Sequence, residues 1–171
     1  ICHNYGINGE TSSDLLRRSW HVLKENTNSK ICLLMIGTND TKIPIPIEIY
    51  ENNLEQIINS IKVHGKLPIV ATLPELEFSP YYISNRNYIY VYNECILKLS
   101  KKIDFLVCSM DNLKEHLIDG VHFTHEGYKE VANRWKKTIM SLSMNKWIMV
   151  KNILGLLYQN CSDPAACLIK V

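Results

Sequence analysis

Three short polar segments contain the residue types that could carry out chemistry. They read Gly-Glu-Thr-Ser at residues 9–12, Gly-Thr-Asn-Asp at residues 37–40 and Asp-Gly-Val-His at residues 119–122. In the third segment, Asp119 can accept a hydrogen bond from Nδ1 of His122, which leaves Nε2 to act as a general base. A glycine N–H and an asparagine side-chain NH₂ can together hold an oxyanion. This combination is typical of acyl transfer, which also needs a nucleophile.

None of the serine or cysteine side chains is a good candidate for that nucleophile. Ser12 and Ser13 are expected to begin a helix, and Ser109 follows a strand far along the chain. Cys2 and Cys108 lie in apolar runs, where burial raises the pKa of a thiol and makes it inert. We therefore expect no nucleophile within these residues.

Each polar segment also has a purely structural interpretation. Residues 9–12 can form a turn and a helix N-cap, and the Asn and Asp of residues 37–40 can stabilise a turn. The Asp-Gly pair before His122 is a strong turn signal, with Thr124 as the following N-cap. His122 and His125 are spaced like metal ligands, but no further ligand types cluster near them. We therefore expect no metal site.

Alternating apolar runs and helical patterns predict an α/β fold. Runs at residues 31–36, 67–73 and 104–108 are continuous rather than alternating, as in parallel strands that are buried on both faces. Residues 1–5 are a shorter, weaker strand candidate. Helical periodicity falls at residues 16–23, 50–61 and 88–99, and again from about residue 124. In such folds ligands bind beyond the carboxyl ends of the strands, and all three polar segments are predicted to lie at that edge.

Composition narrows the class of protein. The 171 residues are 46% hydrophobic and 21% charged, which fits about one globular domain and excludes a disordered chain or a coiled coil. A net charge of +2 gives no sign of a nucleic-acid partner, and no apolar run is long enough to span a membrane. Scattered cysteines favour a reducing compartment such as the cytoplasm. A disulfide between Cys161 and Cys167 stays open, because spacing alone does not fix its geometry.

The order of the polar segments resembles that of the SGNH hydrolases, also called GDSL esterases and lipases. The shared pattern is Gly-x-x-Gly-[Asp/Glu]-Thr-Ser, then Gly-Thr-Asn-Asp, then Asp-Gly-x-His before a Gly-Tyr helix, and it covers residues 1 to about 140. The resemblance implies a flavodoxin-like three-layer α/β/α fold with a mostly parallel sheet and no cofactor. It also implies that Gly9 and Asn39 are oxyanion donors, and that Asp119 and His122 are the acid and base of a triad.

One block of that family is missing from the sequence. The family's Gly-Asp-Ser, which carries the nucleophile after the first strand, occurs nowhere in the 171 residues. We therefore expect an N-terminally truncated SGNH-like domain at residues 1–144 and a tail of unassigned structure at residues 145–171. The family's first strand is central, between the strands that match residues 1–5 and 31–36.

A chain with that gap is expected either to be marginally stable or to fill it in one of three ways. The strands at residues 1–5 and 31–36 could pair directly. A tail segment such as residues 147–153 could insert between them. A second chain could pair with the open edges, which predicts self-association.

The resemblance implies an ester hydrolase acting on a small-molecule, carbohydrate or lipid ester, with residues 74–87 and their Tyr81 and Tyr82 overhanging the site and setting substrate preference. Without the serine block this chain by itself is expected to be inactive. The alternative is a catalytically inactive SGNH-like binding domain. A third reading, a nucleotide-binding domain, is disfavoured because neither a G-x-G-x-x-G nor a P-loop motif occurs.

Overall fold

The computed structural model describes residues 2–76, 86–143 and 153–157. Strands and helices alternate along them, as the sequence predicts. The strands are β1 (Cys2–Asn4), β2 (Ile31–Met35), β3 (Leu67–Ala71), β4 (Leu106–Cys108) and β5 (Ile153–Leu157). The helices are α1 (Ser12–Glu25), α2 (Thr38–Lys42), α3 (Ile47–Val63), α4 (Arg86–Ile103) and α5 (His125–Ser143), with a 3₁₀ turn at Lys114–His116. None of the helices in these ranges is both long and apolar enough to cross a membrane.

The strands form one five-stranded sheet with the order β1-β5-β2-β3-β4, and every neighbouring pair is parallel. Helices cover both faces. Side chains of α1, α3 and α4 share one hydrophobic cluster with one face of the sheet, and α5 shares a second cluster with the other face. The predicted three-layer α/β/α architecture with a parallel sheet is therefore confirmed.

β2 shows why its sequence is continuously apolar. All five of its residues are buried. Cys32 and Leu34 point into the cluster with α1, α3 and α4, whereas Ile31, Leu33 and Met35 point into the cluster with α5. A strand that packs against helices on both faces has no solvent-facing positions, so polar residues do not alternate along it.

β5 fills the central gap that the sequence predicts. It pairs with β1 from Cys2↔Ile153 to Asn4↔Gly155, and with β2 from Ile31↔Ile153 to Met35↔Leu157. Of the three ways to fill the gap, the structure shows insertion of a segment from the tail. The strand is residues 153–157 rather than 147–153, and direct pairing of residues 1–5 with β2 is wrong. The two edges expected to be open are thus paired, and self-association stays an untested prediction.

Two strand boundaries differ from the predicted ones for local reasons. β3 ends at Ala71 because the side chain of Asn93 takes over the next backbone groups, accepting from N–H of Leu73 at 2.7 Å and donating to its C=O at 2.9 Å. β4 begins at Leu106 rather than residue 104 because Asp104 has a φ of 57°, a turn conformation that does not continue a strand.

Some predicted features lie outside the described residues. They are Tyr81 and Tyr82 of the loop at residues 74–87, the pair Cys161 and Cys167, and the part of the tail other than β5. The division of the chain into a domain at residues 1–144 and a tail at residues 145–171 also stays a prediction.

Candidate active site

Asp119 and His122 are in direct contact. Nδ1 of His122 lies 2.5 Å from Oδ2 of Asp119. The other carboxylate oxygen, Oδ1, accepts from the backbone N–H of Val121 at 3.0 Å and of His122 at 2.8 Å. The carboxylate therefore holds both the ring and the backbone of His122.

The carboxyl group of Asp119 is electrostatically suited to that contact. Burial raises its pKa, but the hydrogen bonds from the backbone and ring of His122 and from the backbone of Val121 outweigh burial and lower the pKa overall. The side chain is half exposed, at 52%. Asp119 is therefore ionised at neutral pH and can accept a hydrogen bond from Nδ1–H of His122.

The loop that carries the pair is held against the start of α5. Ile118 donates its N–H to the carbonyl of His122 at 2.8 Å, and Thr124 donates to the carbonyl of His116 at 2.7 Å. Gly127, in the first turn of α5, allows this close packing, because a Cβ there would lie 2.8 Å from the backbone oxygen of His116. The glycine of the Gly-Tyr pair that follows Asp119–His122 is therefore required for steric reasons.

Asn39 contacts the residue that follows Gly9. Asn39 is the second residue of α2 and is buried, and its Nδ2 donates to the backbone carbonyl of Glu10 at 2.8 Å. An amide nitrogen has two hydrogens, and Glu10 is the one acceptor that Nδ2 contacts within the described residues. Gly9 is exposed in the loop after β1. Asn39 therefore holds the residue next to Gly9, the other predicted oxyanion donor.

The loop after β1 is fixed by its own side chains. Arg18 binds both carboxylate oxygens of Glu10 and also donates to the carbonyl of Tyr5 at 2.7 Å. Thr11 and Asp14 form a reciprocal capping box at the start of α1, which satisfies free N–H groups of the first turn. This confirms that residues 9–12 form a loop and a helix start. The same contacts hold the loop that contains Gly9 in place.

Parallel strands bring these groups to one edge of the sheet. Gly9 follows β1, Asn39 follows β2, and the Asp119–His122 pair comes after β4 and before α5. β5 ends at the same edge, where Leu157 pairs with Met35. The predicted site residues therefore all come from segments at the carboxyl edge of the sheet.

The serines weighed as nucleophiles all have other partners. Ser12 is fully buried, and its Oγ donates to the carboxylate of Asp40. Oγ of Ser13 accepts from Nδ2 of Asn53 at 2.9 Å, and Oγ of Ser109 donates to a nearby aspartate at 2.5 Å. None of these contacts resembles the serine–histidine pair that activates a hydroxyl.

Cys2, Cys108 and His125 were the remaining candidates for a nucleophile or a metal ligand. Burial raises the pKa of Cys2 and of Cys108, which keeps both as neutral thiols. Within the part of the chain that the structure describes, no three His, Cys, Asp or Glu side chains form a group that could hold a metal ion. The pair His122 and His125 thus has no further ligands there.

Gly37, at the junction of β2 and α2, is a position where a side chain would be strained and crowded. Its φ is +132°, and a Cβ would lie 3.0 Å from Leu73 and from the ring of Tyr50.

We expect Gly37→Ala to lower the free energy of unfolding by about 2–4 kcal/mol, since the backbone strain and the overpacking against these side chains add. The control is Gly65→Ala, where φ is +70° with nothing within 4 Å and only the backbone cost of about 1–2 kcal/mol applies. Equal losses in urea denaturation would contradict the steric part.

Sequence reasoning missed one set of contacts. The structural interpretation of residues 37–40 predicts a turn, but residues 38–40 begin the short helix α2, with Gly37 as its N-cap. In this helix Asp40 is fully buried and accepts from the backbone N–H of Ser12 at 2.9 Å. The signal in the sequence was the Asp beside Asn39, but nothing nearby in the chain indicated a partner 28 positions away.

The fold and the order of these groups define a class of proteins. The model of the GDSL-like Lipase/Acylhydrolase family matches residues 2–130, and the chain belongs to that family. The predicted SGNH resemblance is thereby confirmed.

Particular relatives agree with this assignment. The isoamyl acetate-hydrolyzing esterase of Saccharomyces cerevisiae is 25% identical, over 78% of this chain and 66% of that protein. The chain thus spans just under two thirds of that curated relative. A GDSL-like lipase from Bacteroides thetaiotaomicron has the same fold, with a TM-score of 0.69, 22% identity and coverage of 81% and 75% of the two chains. A carbohydrate esterase family 3 protein from Talaromyces cellulolyticus has a TM-score of 0.67, 17% identity and coverage of 80% and 70%.

Proposed function

We propose that this chain is the acyl-transfer domain of an ester hydrolase. In it Asp119 and His122 act as the acid and base, and Gly9 and Asn39 stabilise the oxyanion. The observation that carries the proposal is the 2.5 Å contact between His122 and Asp119, made at the sheet edge that also bears Asn39. A histidine oriented by a carboxylate, at the same sheet edge as an amide donor, is the arrangement that acyl transfer requires.

Each group has a defined part in the reaction. A serine hydroxyl attacks the ester carbonyl while Nε2 of His122 takes the hydroxyl proton. The carbonyl oxygen becomes negative and is held by the N–H of Gly9 and by Nδ2 of Asn39. When the tetrahedral intermediate collapses, the alcohol leaves with the proton from His122. Water then attacks the acyl-serine with His122 as base again, which releases the carboxylic acid and restores the serine.

We place the nucleophilic serine outside these 171 residues. The support is the absence of Gly-Asp-Ser from the sequence, together with the commitment of Ser12, Ser13 and Ser109 to other partners. In the family the strand that presents this serine is central, the position that β5 holds here. A serine-bearing strand would therefore have to replace β5.

The substrates to test first are acetyl esters of small alcohols and of sugars. The support comes from the names of the yeast relative, which cites isoamyl acetate, and of the Talaromyces protein, which cites carbohydrate esters. A lipid ester is the alternative. Turnover that rises with acyl length from acetyl to octanoyl would favour the lipid ester instead.

The test compares three proteins on a chromogenic acetyl ester. They are the 171-residue chain, an extended chain in which residues 1–143 follow a family strand with Gly-Asp-Ser that takes the place of β5, and the extended chain with that serine changed to alanine. We expect turnover only in the second. Robust turnover by the 171-residue chain, abolished by His122→Ala, would show that the nucleophile lies within it. Folding of all three without any turnover would favour the inactive binding domain.

Asn39→Ala is expected to lower kcat of the extended chain by about 10²- to 10³-fold, the usual effect of removing one oxyanion donor. KM should change little, because the interaction forms mainly in the transition state. Steady-state kinetics on the acetyl ester measure both constants. A higher KM with unaltered kcat would make Asn39 an ordinary substrate-binding residue.

A further inference from the structure

Asp40 is a buried residue whose carboxylate binds Ser12. Both of its oxygens accept from the backbone N–H of Ser12, at 3.0 and 2.9 Å, and Oδ1 also accepts from Oγ of Ser12. Both residues are completely inaccessible to solvent. Since Ser12 is the first residue of α1, Asp40 sits at the positive end of that 14-residue helix, which partly compensates its charge.

A third helix completes the group around Ser12. Asn53 of α3 donates to Oγ of Ser12 at 3.0 Å and to Oγ of Ser13 at 2.9 Å. The hydroxyl of Ser12 therefore donates to α2 and accepts from α3. Three helices, α1, α2 and α3, meet at this one residue.

Stability alone is a poor reason for this arrangement. Burial raises the pKa of Asp40, although the hydrogen bonds from Ser12 oppose the shift. Within the described residues no Lys, Arg or His is paired with it. A buried carboxylate without a cation is expensive to keep, and an apolar pair would often be as stable. What the carboxylate adds is direction, because it holds the Ser12 N–H in one geometry.

That geometry matters because of the neighbouring contact. Asn39 and Asp40 are consecutive in α2. They hold Glu10, in the loop after β1, and Ser12, the first residue of α1. These two contacts attach the end of the loop to α2, in addition to the contacts that Arg18 and the capping box make within it. Gly9 lies directly before the first of them.

We propose that Asp40 is a positioning residue of the oxyanion hole. By holding Ser12 it sets the separation of the Gly9 N–H and Nδ2 of Asn39, the two groups that bind the oxyanion. This assignment rests on the proposed function, and it adds to it a residue that contacts neither the substrate nor His122.

The test is Asp40→Asn in the 171-residue chain, followed by NMR. The amide has nearly the same shape, but it loses the charge and one acceptor oxygen. We expect amide hydrogen exchange to quicken about tenfold or more at residues 9–12, and the side-chain NH₂ signal of Asn39 to shift. Exchange in β2 and α3 should stay as in the parent chain. Ser12→Ala, which removes only the Oγ donor, should give a smaller change of the same pattern.

The matched control is Glu55→Gln, which removes a partly exposed carboxylate that pairs with Lys102 at 2.9 Å. It should leave exchange at residues 9–12 unchanged. Unchanged exchange in Asp40→Asn would overturn the proposal. So would a uniform increase that includes β2 and α3, because Asp40 would then act only through global stability. If Asp40→Asn does not fold, the same two outcomes for Ser12→Ala decide.

Kinetics separate this proposal from the proposed function. In the extended chain, Asp40→Asn should lower kcat about 10- to 100-fold while KM stays within about twofold, because transition-state binding suffers more than ground-state binding. An unchanged kcat despite faster exchange would refute the positioning role. If the extended parent has no turnover, the proposed function fails, whereas the exchange pattern still decides whether Asp40 holds the loop.

Discussion

Replacing His122 by alanine should remove nearly all turnover from the extended chain, with kcat falling about 10⁴- to 10⁶-fold. The imidazole takes the serine proton and later gives it to the leaving alcohol, so neither half of the reaction proceeds efficiently without it. The variant should keep a small rate above the uncatalysed background, because the proposed oxyanion donors, Gly9 and Asn39, are still present. Single-turnover measurements on an acetyl ester would show the loss in the acylation step itself.

His125→Ala provides the control for this experiment. His125 is the first residue of α5, three positions beyond His122, and its side chain is exposed. His125 has no part in the proposed reaction. The kcat of His125→Ala should therefore stay within about twofold of that of the extended parent chain. An equal loss in both variants would mean that the loop before α5 had been disturbed. A kcat that survives His122→Ala would remove the base from the mechanism.

The second large effect is expected from shortening the chain. A chain that ends at residue 143 lacks β5, and β1 and β2 then lose the strand that joins them in the sheet. Each buried backbone group without a partner costs about 1–3 kcal/mol. Several such groups together exceed the roughly 5–15 kcal/mol that holds a domain folded. We therefore expect no cooperative thermal transition by circular dichroism.

Two further proteins make this result specific to β5. A chain that ends at residue 157 keeps the strand and should melt like the 171-residue chain. Adding the family's serine-bearing strand to the chain that ends at residue 143 should restore folding, because either strand can occupy the same central position. If the chain that ends at residue 143 unfolds cooperatively at the parent's temperature, β5 does not support the sheet.

Local patterns allowed much of this fold to be predicted. Continuous apolar runs identified β2 and β3 because both faces of these strands are covered by helices. Asp119 and His122 were predicted to touch because a separation of three residues in a tight turn brings their side chains together. Features of this kind depend on nearby residues, which a single sequence shows directly.

Contacts between distant segments could not be predicted in the same way. The Asp40–Ser12 contact joins residues 28 positions apart, and neither residue's neighbours indicate the other. The register of β5 depends on pairing with strands at the opposite end of the chain, so the tail insertion was one of three equal options. The short helix α2 was taken for a turn because Asn and Asp are common in both.

The central place of β5 also bears on how the molecule reaches its native state. During translation β1 leaves the ribosome about 150 residues, and β2 about 120 residues, before the strand that lies between them. They must wait with unpaired edges, and closing so long a loop is slow. Exposed edges are where strands of different molecules join. Yield of the native molecule should therefore depend on expression temperature and on chaperones that shield nascent chains, more than the equilibrium stability of the finished sheet would indicate.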